Sequence, residues 1–163
     1  MSNFQKDLKL GHRYEEIALG FFLGNPAVAD VVRPTGLHKA YDFMVKDIAY
    51  EVKSDRMATK TGNFCIEWWC GSKPSGISTT EAIYYIYFVI HPDDGHDCYM
   101  IPVADIKNLI RDKNYHRSMK GGDGYRSIFY LISSEHFSKY KVYAGVSASD
   151  STPTPTNVET VTV

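Results

Sequence analysis

AYDFMVKDIAYEVKS, residues 40–54, decides how this chain folds. Aromatic and β-branched residues fill both arms around a central Lys46-Asp47, as strands prefer. The stretch predicts a β-hairpin, with Tyr41 to Val45 as one strand, Lys46-Asp47 as the turn and Ile48 to Lys53 returning. A two-residue loop sets Val45 against Ile48. The same register sets Asp42 against Glu51, with Cβ atoms roughly 4.5–5.5 Å apart. Side chains alternate along a strand, so Glu51 and Lys53 share one face while Ile48, Tyr50 and Val52 share the other.

Like charges placed opposite each other destabilise a sheet, so something must offset Asp42 facing Glu51. A divalent cation does so most directly, because carboxylate oxygens are hard ligands that suit Mg²⁺. Lys53, one alternation further on, is placed to hold a water or to meet a phosphate oxygen. The competing reading is a solvated hairpin face carrying a surface Glu-Lys pair. The opposed Asp42 and the apolar alternate face weigh against it.

The 163 residues suffice for one domain with a real core. The formal net charge is −1, so any binding to an acidic polymer must come from local clusters of Lys and Arg. Three cysteines, Cys65, Cys70 and Cys98, are too few and too irregular for a disulfide framework. They predict free thiols in a reducing cytoplasm. Neither a secretory leader pattern nor an apolar run of membrane-spanning length is visible. The expectation is a single domain over residues 1–146 and a flexible Ser/Thr/Pro-rich tail over 147–163.

Upstream of the hairpin, residues 4–23 predict an amphipathic helix, with Leu10, Tyr14, Ile17, Ala18 and Phe21 at helical spacing. Glu15 borders that stripe. Val28 to Arg33 predicts a short strand, and Asp55 to Asn63 a loop beside the site. Phe64 to Cys70 reads as a strand whose Glu67 is placed to join the acidic patch. Ser78-Thr79-Thr80-Glu81 predicts a capped helical turn. Ile83 to Ile90, almost continuously apolar, predicts a central strand buried on both faces. After a hairpin loop at His91 to Asp97, Cys98 to Val103 reads as a strand and Ala104 to Lys113 as a helix. Tyr115 to Gly124 reads as a basic, glycine-rich loop, Tyr125 to Ile132 as a strand, and Ser133 to Tyr140 as a short helix capped by Ser133 or Ser134.

Gly11-x-x-x-Glu15-x-x-Ala18 in a first helix, then Asp42, then Glu51-Val52-Lys53, resembles the PD-(D/E)XK nuclease superfamily. Within it the helix-first order is similar to Holliday-junction resolvases and related small phage or bacterial nucleases. Tyr41 stands where the family name has proline. The resemblance covers roughly residues 8–90 and lies in the order of the acidic and basic residues. It implies an α/β fold with a restriction-endonuclease-like core: a mixed central β-sheet flanked by helices, the N-terminal helix first. It implies that Asp42, Glu51 and the Val52 backbone carbonyl bind Mg²⁺ or Mn²⁺, with Glu15 contributing directly or through water, and that Lys53 activates or positions the attacking water. The implied activity is metal-dependent DNA endonuclease, as a Holliday-junction resolvase or as a site-specific homing or restriction-type enzyme. The protein would act as a homodimer in the cytoplasm of a bacterial or phage-infected cell. A reading of another class is a non-catalytic DNA-binding protein on the same scaffold.

Lys39, Arg56, Lys60, Lys73, Ser75 and Thr79 are the candidate contacts to DNA phosphates, with the Arg117 to Arg126 segment as a second basic region. Pro92-Asp93-Asp94 copies part of the family name but lies in a turn with no Glu-x-Lys strand after it. His91, His96, Asp97 and Cys98 lack the paired spacing of a zinc site. No nucleophile motif surrounds Cys65 or Cys70, so both read as structural.

Overall fold

The computed structural model describes residues 3–23, 30–35 and 40–146. The leading helix, α1, spans Asn3–Leu23. Lys39 and the tail from residue 147 lie outside the described residues, as do positions 28 and 29 of the first predicted strand. What is described of that strand is β1, Val31–Val32.

The hairpin forms as the alternation predicts. β2 (Phe43–Val45) and β3 (Ile48–Asp55) pair antiparallel, with Val45 opposite Ile48 and Phe43 opposite Tyr50. Lys46 takes a left-handed φ of 42° in the turn. β6 (Tyr84–Ile90) lies parallel to β3, and β7 (His96–Pro102) returns antiparallel beside it. β10 (Lys141–Val146) closes the far edge, giving a mixed six-stranded sheet in the order β1-β2-β3-β6-β7-β10.

β6 explains its own unbroken apolar run. Its alternate side chains Ile86, Phe88 and Ile90 pack on one face with Tyr14, Ala18 and Leu19 of α1 and with Tyr50 and Val52 of β3. Tyr85, Tyr87 and Val89 pack on the other. That second face is covered by helix α3 (Val103–Arg111), which buries Val103, Ile106 and Ile110, and by a second sheet. The second sheet is antiparallel, in the order β5-β4-β9-β8: β4 is Asn63–Cys70, β5 Lys73–Pro74, β8 Arg117–Gly121 and β9 Ser127–Ser133. Each buried aromatic or aliphatic side chain here contributes about 1.5–3 kcal/mol.

Tyr87 ties the two layers together. Its ring stacks on Phe64 at 4.2 Å between centroids. Its hydroxyl donates to Asp55 Oδ2 (2.6 Å) and accepts the Cys65 N–H (2.9 Å). Asp55 Oδ1 in turn accepts the N–H groups of Met57 and Ala58, starting a short helix α2 (Ala58–Thr61).

Four expectations change. Residues 55–63 are not a loop: β3 runs to Asp55, α2 follows, and β4 begins at Asn63. The helical turn expected at Ser78 lies earlier, at Gly76–Ser78, where Ser75 takes the cap position. Gly76 there has φ 55°, and a Cβ on it would fall 2.5 Å from the Glu67 carbonyl oxygen, so only glycine fits. The basic loop after Tyr115 contains β8, an edge strand with exposed side chains and therefore no apolar alternation. Glu67 does not extend the hairpin's acidic patch within one sheet, because β4 belongs to the second layer.

Candidate active site

β2 is shorter than its partner. Its ladder with β3 covers Phe43 to Val45 only, so residues 51–55 of β3 keep an open edge beside α1. One residue beyond the ladder, the Asp42 N–H donates to the Tyr50 carbonyl (2.9 Å). The Asp42 carboxylate then accepts the Val52 N–H through Oδ2 at 2.7 Å. The N–H and C=O of one strand residue point to the same edge, so the Val52 carbonyl also faces the open side. That is the carbonyl that the resemblance implies as a metal ligand.

Glu15, Asp42, Glu51, Val52 and Lys53 line one cavity of about 270 Å³ at this edge. The Glu51 side chain is 17 % exposed, against 24 % for Glu15 and 43 % for Lys53. Burial, and then the negative charge of Asp42, push its carboxyl up to about 7; Lys53 and Thr80 pull the other way, and Glu15 adds to the rise. Lys53 Nζ stands 3.9 Å from Glu51 Oε1. Glu15 is approached by His12, with Nδ1 3.6 Å from Oε2.

Thr80, Asp7 and Tyr85 were not nominated from the sequence. Thr80 Oγ1 lies 3.3 Å from Glu51 Oε2 and 3.0 Å from the Ala40 carbonyl, bracing the carboxyl from the loop before β6. Nothing in the pattern of Ser78 to Glu81 points to that contact. Asp7 and Gly11 line the same cavity. Their spacing to Glu15, four and eight residues, places all three on one helix face, and that signal was legible. The Tyr85 hydroxyl is buried without a hydrogen-bond partner, and burial followed by the Glu51, Asp42 and Glu67 charges holds its proton firmly.

The donors are carboxylate and carbonyl oxygens, the set a hard divalent cation takes. Among the described residues, no three His, Cys, Asp or Glu side chains are already arranged around one point as ligands. The chemical fit rests on the donor types and on the Asp42 and Glu51 carboxylates lining one cavity.

The nominated phosphate contacts divide. Arg56 lines a second cavity, of about 530 Å³, together with Lys6, Lys9, His12 and Arg13 of α1. The acid in that lining, Glu16, is held by Arg33 through two hydrogen bonds of 2.6 and 2.9 Å. Lys6, Lys9 and Arg13 repeat at three- and four-residue spacing, so this basic helix face was readable too. Lys60 and Lys73 are exposed, Lys60 in α2 and Lys73 in β5. Ser75 Oγ donates to Glu67 (2.5 Å), and Thr79 Oγ1 lies 3.3 Å from the Gly76 carbonyl oxygen.

Of the thiols, Cys98 is buried, Cys65 half-buried and Cys70 exposed, against the expectation of a structural Cys70. Burial pushes the Cys65 thiol up to about 11 and the Cys98 thiol higher. His96 is buried against Tyr14 and Phe88. Asp97 meets His91 at 3.3 Å and Lys141 at 2.9 Å. No described helix is long and apolar enough to cross a membrane.

Comparison with protein-family models, with curated proteins and with solved structures finds no match for the chain.

Proposed function

We propose that the chain is a metal-dependent DNA endonuclease of the PD-(D/E)XK type. The observation that carries this reading is the lining of one cavity at the open edge of β3 by Glu15, Asp42, Glu51 and Lys53. Asp42, Glu51 and the Val52 carbonyl hold Mg²⁺ or Mn²⁺, with Glu15 from the helix side. The bound cation supplies Lewis acidity and lowers the pKa of water. Lys53 adds a compact positive charge where a phosphate oxygen or the attacking water sits. Thr80 restrains Glu51. The cationic face of Lys6, Lys9, Arg13 and Arg56 takes neighbouring phosphates of the strand.

The test is cleavage of labelled DNA in Mg²⁺, with four-way junction, flap, single strand and duplex presented in parallel. The wild-type chain is expected to cut. Lys53→Ala and Glu51→Ala are expected to lose about a hundredfold or more in rate while still binding DNA. Normal cutting by Lys53→Ala would remove its assigned role. Junction and duplex cutters must sever two strands, so on those substrates a homodimer is expected.

The competing reading is a DNA-binding protein without catalysis. It is favoured by the lack of a pre-arranged ligand trio among the described residues. Calorimetric titration separates the two, because the binding protein takes up neither Mg²⁺ nor Mn²⁺.

A further inference from the structure

Lys53 and Ser54 line a second cavity besides the acidic one, a space of about 490 Å³ between β3, α2 and the second sheet. Its walls include Met57, Met119, Phe129 and Arg117. Met57 is 56 % and Met119 40 % exposed, a large apolar outlay for surface side chains. Met119 and Phe129 are register partners on β8 and β9. The Phe129 ring is backed by Gly121, where a Cβ would come within 3.2 Å of it. This soft, partly exposed apolar wall lines the same cavity as Lys53.

We infer that this cavity receives one unpaired nucleobase of the DNA strand, next to the phosphate seated at Lys53. The inference rests on the nuclease reading above and narrows its substrate class. The volume suits a single small-molecule-sized group. A base inside a duplex is stacked on both sides and cannot enter a pocket without leaving the helix. Thioether and aromatic walls accept the π-face of any base. Lys53 and Arg117 both line the cavity and match the charges of the flanking phosphates, while its two acids are already hydrogen-bonded, Asp55 to the Tyr87 hydroxyl and Glu67 to Ser75 Oγ. The preferred substrate is therefore DNA with an unpaired nucleotide beside the cut, as at a branch, flap or bulge, and not uniform duplex.

The experiment uses the full chain and two fluorescein-labelled DNAs of one sequence, a fully paired duplex and the same duplex with one bulged nucleotide. Binding is read by anisotropy in chelator, where nothing is cut, and cleavage is read separately in Mg²⁺. The bulged DNA is expected to bind about tenfold or more tightly, the scale of one base stacked on a side chain. Met119→Asp, on an exposed edge strand, is expected to bring that ratio close to one, and Met57→Asp serves as the second variant if Met119→Asp melts early. Equal binding of the two DNAs, with both cut in Mg²⁺, would overturn the base pocket and leave the nuclease reading standing. A preference for the bulge that survives both substitutions would overturn the pocket as its cause. Failure to bind or cut either DNA would sink the nuclease reading, and the pocket with it.

Discussion

Asp42 Oδ2 accepts the Val52 N–H at 2.7 Å, so a side chain finishes a ladder that the backbone of β2 leaves incomplete. This hydrogen bond fixes the acid one step from Glu51 and separates its structural role from its charge. Asp42→Asn keeps a hydrogen-bond acceptor and removes the charge. The Glu51 carboxyl should then titrate lower, because the second-largest cause of its rise is gone, and carboxyl NMR would read the shift. Asp42→Ala loses the acceptor as well and should cost about 1.5–3 kcal/mol in denaturant unfolding.

Glu51 makes metal-free stability depend on pH. Its carboxyl titrates near 7 folded against an ordinary 4.5. Between those values the folded protein holds the extra proton, so stability is greatest at the acid end and declines as pH rises through the window. The total is roughly 3 kcal/mol. Denaturation at pH 5, 6, 7 and 8 in chelator should show the decline, and Glu51→Gln should flatten it. Added Mg²⁺ should oppose the loss, since the cation binds the form that the rising pH produces.

The basic face of α1 predicts salt-dependent affinity. Replacing Lys6, Lys9 and Arg13 by Gln should weaken binding to all DNAs alike. The slope of log affinity against log salt should fall by about 0.9 for each phosphate that the variant no longer neutralises. Anisotropy titrations at several salt concentrations measure it. An unchanged slope would place the strand elsewhere.

Gly11 lines the acidic cavity from mid-helix, and a Cβ on it would meet nothing within 4 Å. Gly11→Ala should therefore raise stability by about 0.5–1 kcal/mol, the ordinary helix penalty of glycine. A drop in cleavage despite that gain would show that substrate passes close to the helix backbone there.

The sequence was legible where the relevant interactions are local. The Val45–Ile48 register, the alternation through Val52 and the apolar run of β6 each follow from periodicity inside a single segment. Asp42, Glu51 and Lys53 could be nominated for the same reason, and Glu15 from its place before them in the order of the resemblance. β8 was not legible, because this edge strand exposes most of its side chains and carries no apolar period. Thr80 was invisible because its partner lies in another segment, 29 residues away in sequence. The second sheet is a matter of layer packing, and no pattern within β4 says which layer it joins.

The Tyr87 phenol joins the layers through Asp55 and the Cys65 backbone beside the wall of the cavity between the two sheets. Burial, and then the neighbouring Asp55 charge, keep its proton in place far above neutral pH. The hydrogen bonds of this bolt therefore keep their proton across the range in which Glu51 gains and loses its charge. Acid or base near neutrality alters the charge at Glu51 in the acidic cavity and leaves this tie between the layers protonated.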